Sequence, residues 1–579
     1  MTNPEVKKRE VFLALEGGGA KGLAHISALK AIETLDQELE SSVGGGLQIV
    51  GVAGTSAGAI VAALVAAGYT ADQLLDPENR SHLLTQLRHQ RCTDAIDLLG
   101  RTEWRKIAMF RWVISHSRWL GVGLLLLLAA TDHLLHHLVA TPWAEIGLIV
   151  SGVVLFAILY RASLGVASLH SVREGIDQAL KQAFNREEGD DRVRFHDFGA
   201  NTRHPSLKIV ATDITHGRMF LFSPETTPCI PVADAVAASI CIPLVFRPWR
   251  IEDLNTTFLD GGLVSNLPAW PFDEERLLNR QALTIAVEIV DSNHRGAGPA
   301  PLWRRALRLC WHGIAATIDR GQPHWLVPAL RTAIFGANEL NKRATGELEL
   351  LSLDIDLDVL AFDTPADIVY AKLKEVRTGA ENALQRGLID IPKLMKEASA
   401  SIQEIAQDLI AGFDHLQPAP GRIRVAFAIQ DKSSHRSFQL RHGAGFTDAD
   451  HDLHLIVPAE GSFIGTASHR DLPIFAPIFP GLTSRTYGPE MNRAELEYVS
   501  QRTWPEAKWC YCHPVTVSLL PSRWRRLVVL VDGNQNLPDM SRTKVDEVMS
   551  LLGESIDLIL ERLYAILNPE RAAGAHDHG

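Results

Sequence analysis

The sequence predicts an α/β protein: a mostly parallel sheet with helices on both faces, interrupted by an apolar helical hairpin and followed by a smaller α+β domain. Three observations carry that expectation. Apolar runs such as Val11–Leu15, Leu47–Ala53, Leu207–Asp213 and Leu283–Val290 alternate with helical stretches, as a sheet with crossover helices requires. Glycines punctuate the turns that leave three strands, at Gly17-Gly18-Gly19-Ala20-Lys21-Gly22, Gly54-Thr55-Ser56-Ala57-Gly58 and Asp260-Gly261-Gly262. After the linker Gln417-Pro418-Ala419-Pro420-Gly421 the pattern changes to short alternating strands.

At 579 residues the chain is too long for one core. Its net charge of −11 argues against a nucleic-acid binder and gives no general attraction to anionic lipid. The six cysteines are scattered and make no disulfide framework. Cys510-Tyr511-Cys512-His513 lacks zinc-ligand spacing and reads as alternating strand residues. No metal and no cofactor is expected. Met1 to Glu10 is polar, so no signal peptide is expected and the enzymatic part belongs in a reducing cytoplasm.

Val11–Leu15 reads as a strand, the glycine loop follows, and Leu23 to Leu35 reads as a helix. Backbone N–H groups gathered at a helix start make an anion site. Residues 17 to 22 also satisfy a dinucleotide fingerprint, but that motif wants an acid at the end of the next strand. Here that strand ends in Gly51-Val52-Ala53-Gly54-Thr55-Ser56, and Glu33, Asp36, Glu38 and Glu40 lie on the helix or its exit. An oxyanion hole fits better, with Gly17, Gly18 and Gly19 as candidate donors, each worth roughly 3 kcal/mol of transition-state stabilisation. Lys21 either adds positive charge or is an exposed lysine without a role. His25 is either a general base or a packing histidine. Ser56, between a buried strand and the apolar helix Ala59–Ala67, fits a nucleophile elbow whose sharp turn needs the small neighbours Gly54 and Gly58. A serine that merely caps the helix is the competing reading.

Residues 92–170 form an insertion. Its two apolar segments, 119–140 and 143–160, are roughly the length that spans a bilayer. Arg101, Arg105, Lys106, Arg111 and Arg118 precede them and Arg161 and Arg173 follow, which puts both ends in the cytoplasm. The expectation is membrane association through a hairpin, spanning or lying in the interface; a lid-like soluble hairpin is the alternative. Asp132, His133, His136 and His137 are better explained as a polar helix face than as a metal site.

Further along, Ser171–Phe184 reads as a helix, Leu207–Asp213 and Gly217–Phe222 as strands, and Pro231–Ser239 as an alanine-rich helix. Thr257–Asp260 is a strand entering the tight turn at Gly261 and Gly262, with Ser265 and Asn266 as supports. Asp260 reads either as a base for a serine hydroxyl or as an aspartate that stabilises the turn; Asp213 and Asp234 match a base motif less well. Residues 303–345 read as helical and basic, and Ala366–Leu388 and Leu394–Phe413 as further helices.

These motifs together, with His25 after the first loop and Ala238-Ser239-Ile240-Cys241-Ile242-Pro243-Leu244-Val245-Phe246 ahead of Asp260, resemble the patatin-like phospholipase family over residues 9–390. The insertion is a departure from that family. The resemblance implies a Ser56–Asp260 dyad without a catalytic histidine, and a patatin-like domain made of residues 9–91 and 171–390.

Residues 391–420 are read as helix and linker, 421–566 as a second domain and 567–579 as a tail. Strands are expected at Ile423–Ile429, Leu453–Val457, Pro473–Pro477, Trp509–Val517 and Arg526–Asp532, and helices at Gly465–His469, Arg493–Arg502 and Thr543–Ile566. This order, and Glu460-Gly461-Ser462-Phe463-Ile464-Gly465-Thr466-Ala467, resemble a GAF domain, which implies a small-molecule ligand or a second copy of the chain as partner. The expected function is a serine lipid acyl hydrolase acting on membrane phospholipid or another lipid ester. The alternative is a membrane-anchored signalling protein whose GAF-like domain gates the patatin-like half.

Overall fold

The computed structural model describes residues 8–43, 45–76, 78–86, 95–115, 165–187, 189–199, 202–279, 282–290, 348–357, 362–412, 421–430, 436–447, 449–450, 452–478, 493–515, 526–535 and 542–567. The chain divides into two compact units, Met1–Leu384 and Gln385–Gly579.

The first unit is built on an eight-stranded sheet. Its strands are β1 (Arg9–Leu15), β2 (Leu47–Thr55), β3 (Ser206–Asp213), β4 (Arg218–Phe222), β5 (Trp249–Ile251), β6 (Thr256–Leu259), β7 (Leu283–Val290) and β8 (Leu348–Asp354). The order is β8-β7-β1-β2-β3-β6-β5, with β4 also paired to β3. Pairings from β8 through β3 are parallel, and those of β4, β5 and β6 are antiparallel. Successive residues Val11 to Leu15 and Leu283 to Val287 are all buried, so both faces of the sheet are covered there.

Two helices are apolar on nearly every side and lie inside. They are α2 (Ala57–Ala66) and α4 (Val232–Ser239), in which small side chains predominate. The helix α1 (Ala24–Val43) instead buries one stripe, Ala24, Ala28, Ala31, Ile32 and Leu35, as an amphipathic surface helix does. It runs eight residues past its expected end at Leu35, through the largely exposed stretch from Asp36 to Ser41. The unit also contains the helices α3 (His170–Ala183) and α5 (Ala366–Gln385), besides Arg101–Ser115 and several shorter ones. The short strand β5 and the strand β8 were not expected.

The second unit is an antiparallel sheet of six strands: β9 (Ile423–Gln430), β10 (Ser437–Ala444), β11 (Ile456–Pro458), β12 (Ile474–Pro477), β13 (Trp509–Val515) and β14 (Leu527–Gly533), in the order β11-β10-β9-β14-β13-β12. Alternation feeds two cores. Ile423, Val425 and Phe427 join Trp509, Tyr511 and residues of α6 (Ile391–Ala411) and α8 (Arg542–Leu567). Ala426, Ala428, Cys510 and Cys512 join Ile464 and Ala467 of α7 (Phe463–Arg470) on the other face. A period of two is what places neighbouring residues in different cores. The strand β10 was not expected; its Phe438 and Leu440 alternate with Gln439 and Arg441, then His442 turns into positive φ (52°).

The expected hairpin at 119–140 and 143–160, with the Asp132–His137 cluster, lies outside the described residues, as do the basic stretch 303–345 and the tail. The membrane-associated, multi-pass localisation is corrected: among the described residues no helix is long and apolar enough to cross a membrane. The long helices α1, α5, α6 and α8 carry charged residues throughout their length, which a hydrocarbon core does not accept.

Candidate active site

The strands β1 and β2 run side by side in parallel, with Leu15 opposite Gly54, so their C-terminal ends open at one place. The chain leaves β1 into the Gly17–Gly19 loop and leaves β2 into Ser56. Strand β6 meets the end of β3 there, pairing Leu259 with Thr212, and delivers Asp260. Ligands of open α/β sheets bind beyond such strand ends.

Ser56 adopts φ 52°, ψ −124°. For a residue with a Cβ this region is strained by on the order of 1–3 kcal/mol. The turn is so tight that a Cβ on Gly54 would lie 2.4 Å from Gly58 O, and one on Gly58 2.3 Å from Leu15 O. Only glycine fits at either place.

The Ser56 hydroxyl does not cap α2. It donates to Asp260 Oδ2 at 2.7 Å. The other carboxylate oxygen, Oδ1, accepts the Gly262 amide at 2.7 Å, so Asp260 also stabilises its own turn. Thr212 Oγ1 donates to Asp260 O at 2.7 Å and fixes the backbone. Both side chains are buried, with Asp260 7% exposed. Burial pushes the Asp260 carboxyl up to about 6, against the opposing pull of the hydrogen bonds from Ser56 and Gly262. The geometry joins a hydroxyl to a carboxylate that accepts protons near neutral pH.

The glycine loop is tied to this pair through Asn266. The Gly17 amide donates to Asn266 O at 3.0 Å. Asn266 Nδ2 donates to Glu16 Oε1 at 2.9 Å and to Gly17 O at 3.2 Å. Glu16 Oε2 in turn accepts the Ile289 amide at 2.6 Å. A Cβ on Gly17 would stand 3.0 Å from Ser56 Cβ, so this glycine lies against the serine. Gly19 has φ 56° and starts a short 3-10 turn, Gly19–Leu23, which contains the buried Lys21 and Gly22. Gly22 packs on Ala57, and Gly261 on Val210 O.

The other candidates lie elsewhere. His25 is fully buried with Nε2 2.7 Å from Glu16 O, and burial lowers its pKa to about 4. It packs; it does not meet Ser56. Asp213 bonds His216 at 2.8 Å and Arg218 at 3.1 Å, and Asp234 bonds Arg173 at 2.9 Å and Arg192 at 3.3 Å. Cys510 and Cys512 are buried on β13. Among the described residues no group of three or more His, Cys, Asp or Glu could hold a metal ion.

Glu16, Thr212 and Ser239 were not singled out from the sequence. Ser239, the last residue of α4, is fully buried, accepts the Ser56 amide at 2.9 Å and donates to Val210 O at 2.6 Å. It lies in the quoted stretch Ala238–Phe246, but a serine ending an alanine-rich helix gives no sign of what it reaches.

Residues 13–273 match the family model described as Patatin-like phospholipase. The uncharacterized protein YqhO of Bacillus subtilis (strain 168) is 26% identical over 278 residues, which cover 47% of this chain and 69% of that protein. The solved structure of VipD from Legionella pneumophila is similar at 16% identity and TM-score 0.26, covering 71% of this chain and 77% of VipD. The GAF domain of a two-component sensor histidine kinase from Bacillus halodurans is similar at 16% identity and TM-score 0.18, covering 28% of this chain and 94% of that domain.

Proposed function

We propose, for a chain whose residues 13–273 belong to the patatin-like phospholipase family, that the first unit is a carboxylic ester hydrolase of lipid acyl chains, of the phospholipase A or lysophospholipase kind. The observation that carries this reading is the 2.7 Å bond from Ser56 Oγ to a buried Asp260 whose pKa is pushed up to about 6. An ordinary surface aspartate is too weak a base to help a serine; burial makes this one stronger, yet leaves it ionised at neutral pH.

Asp260 takes the hydroxyl proton as Ser56 Oγ attacks the ester carbonyl. The amides of Gly18 and Gly19 receive the oxyanion, since the Gly17 amide is engaged by Asn266 O. The N-terminus of α2 adds its positive end beside Ser56. Collapse expels the alcohol with the proton from Asp260 and leaves an acyl-Ser56 ester. Water then repeats the sequence, with Asp260 again the base, and the fatty acid leaves. In this reading residues 9–91 and 171–390 form the catalytic domain and residues 421–566 a GAF-like domain.

The test is reaction of the full chain with a fluorophosphonate probe, followed by a panel of phospholipids, lysophospholipids and neutral acyl esters. Labelling that disappears in Ser56→Ala, with fatty acid released from at least one lipid, is the expected result. A Ser56→Ala protein that keeps its turnover would overturn the mechanism.

A further inference from the structure

We infer that Ser239 is a positioning residue for the nucleophile, holding the strained Ser56 backbone by replacing one rung of the sheet with its hydroxyl. The inference rests on the reading of Ser56 as the nucleophile.

In the parallel pairing of β2 with β3, Thr55 is the last residue of β2 in register, opposite Val210. In a continuing ladder the next amide, that of Ser56, would turn toward a β3 carbonyl. Ser56 cannot follow, because its φ of 52° takes the chain out of the strand. The Ser239 side chain fills the interval. Its oxygen accepts Ser56 N–H at 2.9 Å, and its own proton goes to Val210 O at 2.6 Å. Both bonds lie in the interior, with Ser239 and Val210 fully buried.

The arrangement is directional. A serine hydroxyl has one proton. With that proton committed to Val210 O, a lone pair of Oγ is left facing the Ser56 amide. The hydroxyl rotor is therefore set by β3 and in turn sets the elbow. Ser239 ends α4, and the next turn carries Cys241, whose carbonyl accepts the Asp260 amide at 2.9 Å. One short segment thus holds the backbones of both Ser56 and Asp260, through a side chain at one and a main chain at the other. Ser239 does not touch Oγ of Ser56 in these bonds, so it acts through the backbone.

A displacement of about 1 Å at a reacting atom costs on the order of a hundredfold in rate. Ser239→Ala removes the acceptor from Ser56 N–H and the donor from Val210 O. The expected result is a kcat, and a limiting rate of fluorophosphonate labelling, lower by about 10- to 100-fold, with KM within about twofold. Ser239→Thr keeps the hydroxyl and should recover at least about a third of the wild-type rate. If Ser239→Ala does not fold, Ser239→Cys, close in size and a poor acceptor, carries the same expectation. A folded Ser239→Ala or Ser239→Cys at wild-type rate would overturn the inference while Ser56→Ala remains dead. A rise in KM at unchanged kcat, or a Thr variant as slow as Ala, would overturn it too. Failure of the underlying reading is distinct, because Ser56→Ala itself would then stay active.

Discussion

Two sets of buried aspartates in this molecule are satisfied in opposite ways. In the first unit the donors to the Asp260 carboxylate among the described residues are neutral, the Ser56 hydroxyl and the Gly262 amide. In the second, Asp452 and Asp532 face the Arg424 guanidinium, which is 1% exposed and bonds both carboxylates at 2.6 to 2.9 Å. Arg424 also lies over the rings of Trp504 and Phe446, at 4.2 and 4.4 Å. Burial alone works against the Arg424 charge, but the bonds to Asp532 and Asp452 overcome it and raise its pKa. Burial raises the pKa of Asp260 and of Asp532 alike; the difference lies in the partner, a neutral hydroxyl at Asp260 and a guanidinium that stays charged at Asp532. Asp260 thus holds a hydroxyl proton within reach, while Asp452 and Asp532 are joined through one buried cation.

The sharpest break of this comparison is at Ser56 and Asp260. Ser56→Ala and Asp260→Asn should each lower ester turnover at least about a thousandfold, measured by fatty-acid release at neutral pH. Arg424→Met should do something else: it leaves two buried carboxylates without their cation. A loss of about 3–5 kcal/mol is expected in the urea transition of the second unit. If Arg424→Met were neutral, the network would not be what holds that core.

A third change reverses sign. The Asp260 pKa is raised from an ordinary 3.8 to about 6 in the folded chain. The folded state therefore binds its proton more tightly than the unfolded state does. The associated stability is fully present below about pH 4 and is lost as pH rises through about 6. Asp260→Asn, which carries no charge, should stabilise the first unit by up to roughly 3 kcal/mol at neutral pH, with the gain gone near pH 4. Equilibrium unfolding of wild type and variant at the two pH values checks it. A variant that is both more stable and inactive would separate the chemical role of Asp260 from a structural one.

The parts of the fold that could be read from the sequence are those where local geometry limits residue type. The elbow at Gly54–Gly58 was readable because a Cβ at Gly54 or Gly58 would strike backbone. Asp260 was readable because its turn needs two glycines against Val210 and Asn266. The strand β7 matched its expected span, Leu283–Val290, because apolar residues predominate along it and its first five residues are buried. Ser239 was not readable, since its role depends on the end of α4 meeting β3, a contact between residues 29 apart in sequence. The link from Asn266 to Glu16, across 250 residues, was hidden for the same reason. Strand β8 gave a weaker signal, because Glu349 and Ser352 break up its leucines. The expected membrane localisation was drawn from hydropathy at 119–160, and the described helices do not support it.

The most direct measurement of the central claim is the pH dependence of fluorophosphonate labelling of Ser56, from about pH 4 to about pH 8. Below its pKa Asp260 carries a proton and cannot take another, so the second-order rate should rise about tenfold per pH unit, bend near pH 6 and then level off. Asp260→Asn should abolish the bend along with most of the rate. A wild-type rate that stays flat through pH 6, or a profile that survives in Asp260→Asn, would contradict the assignment of Asp260 as the base.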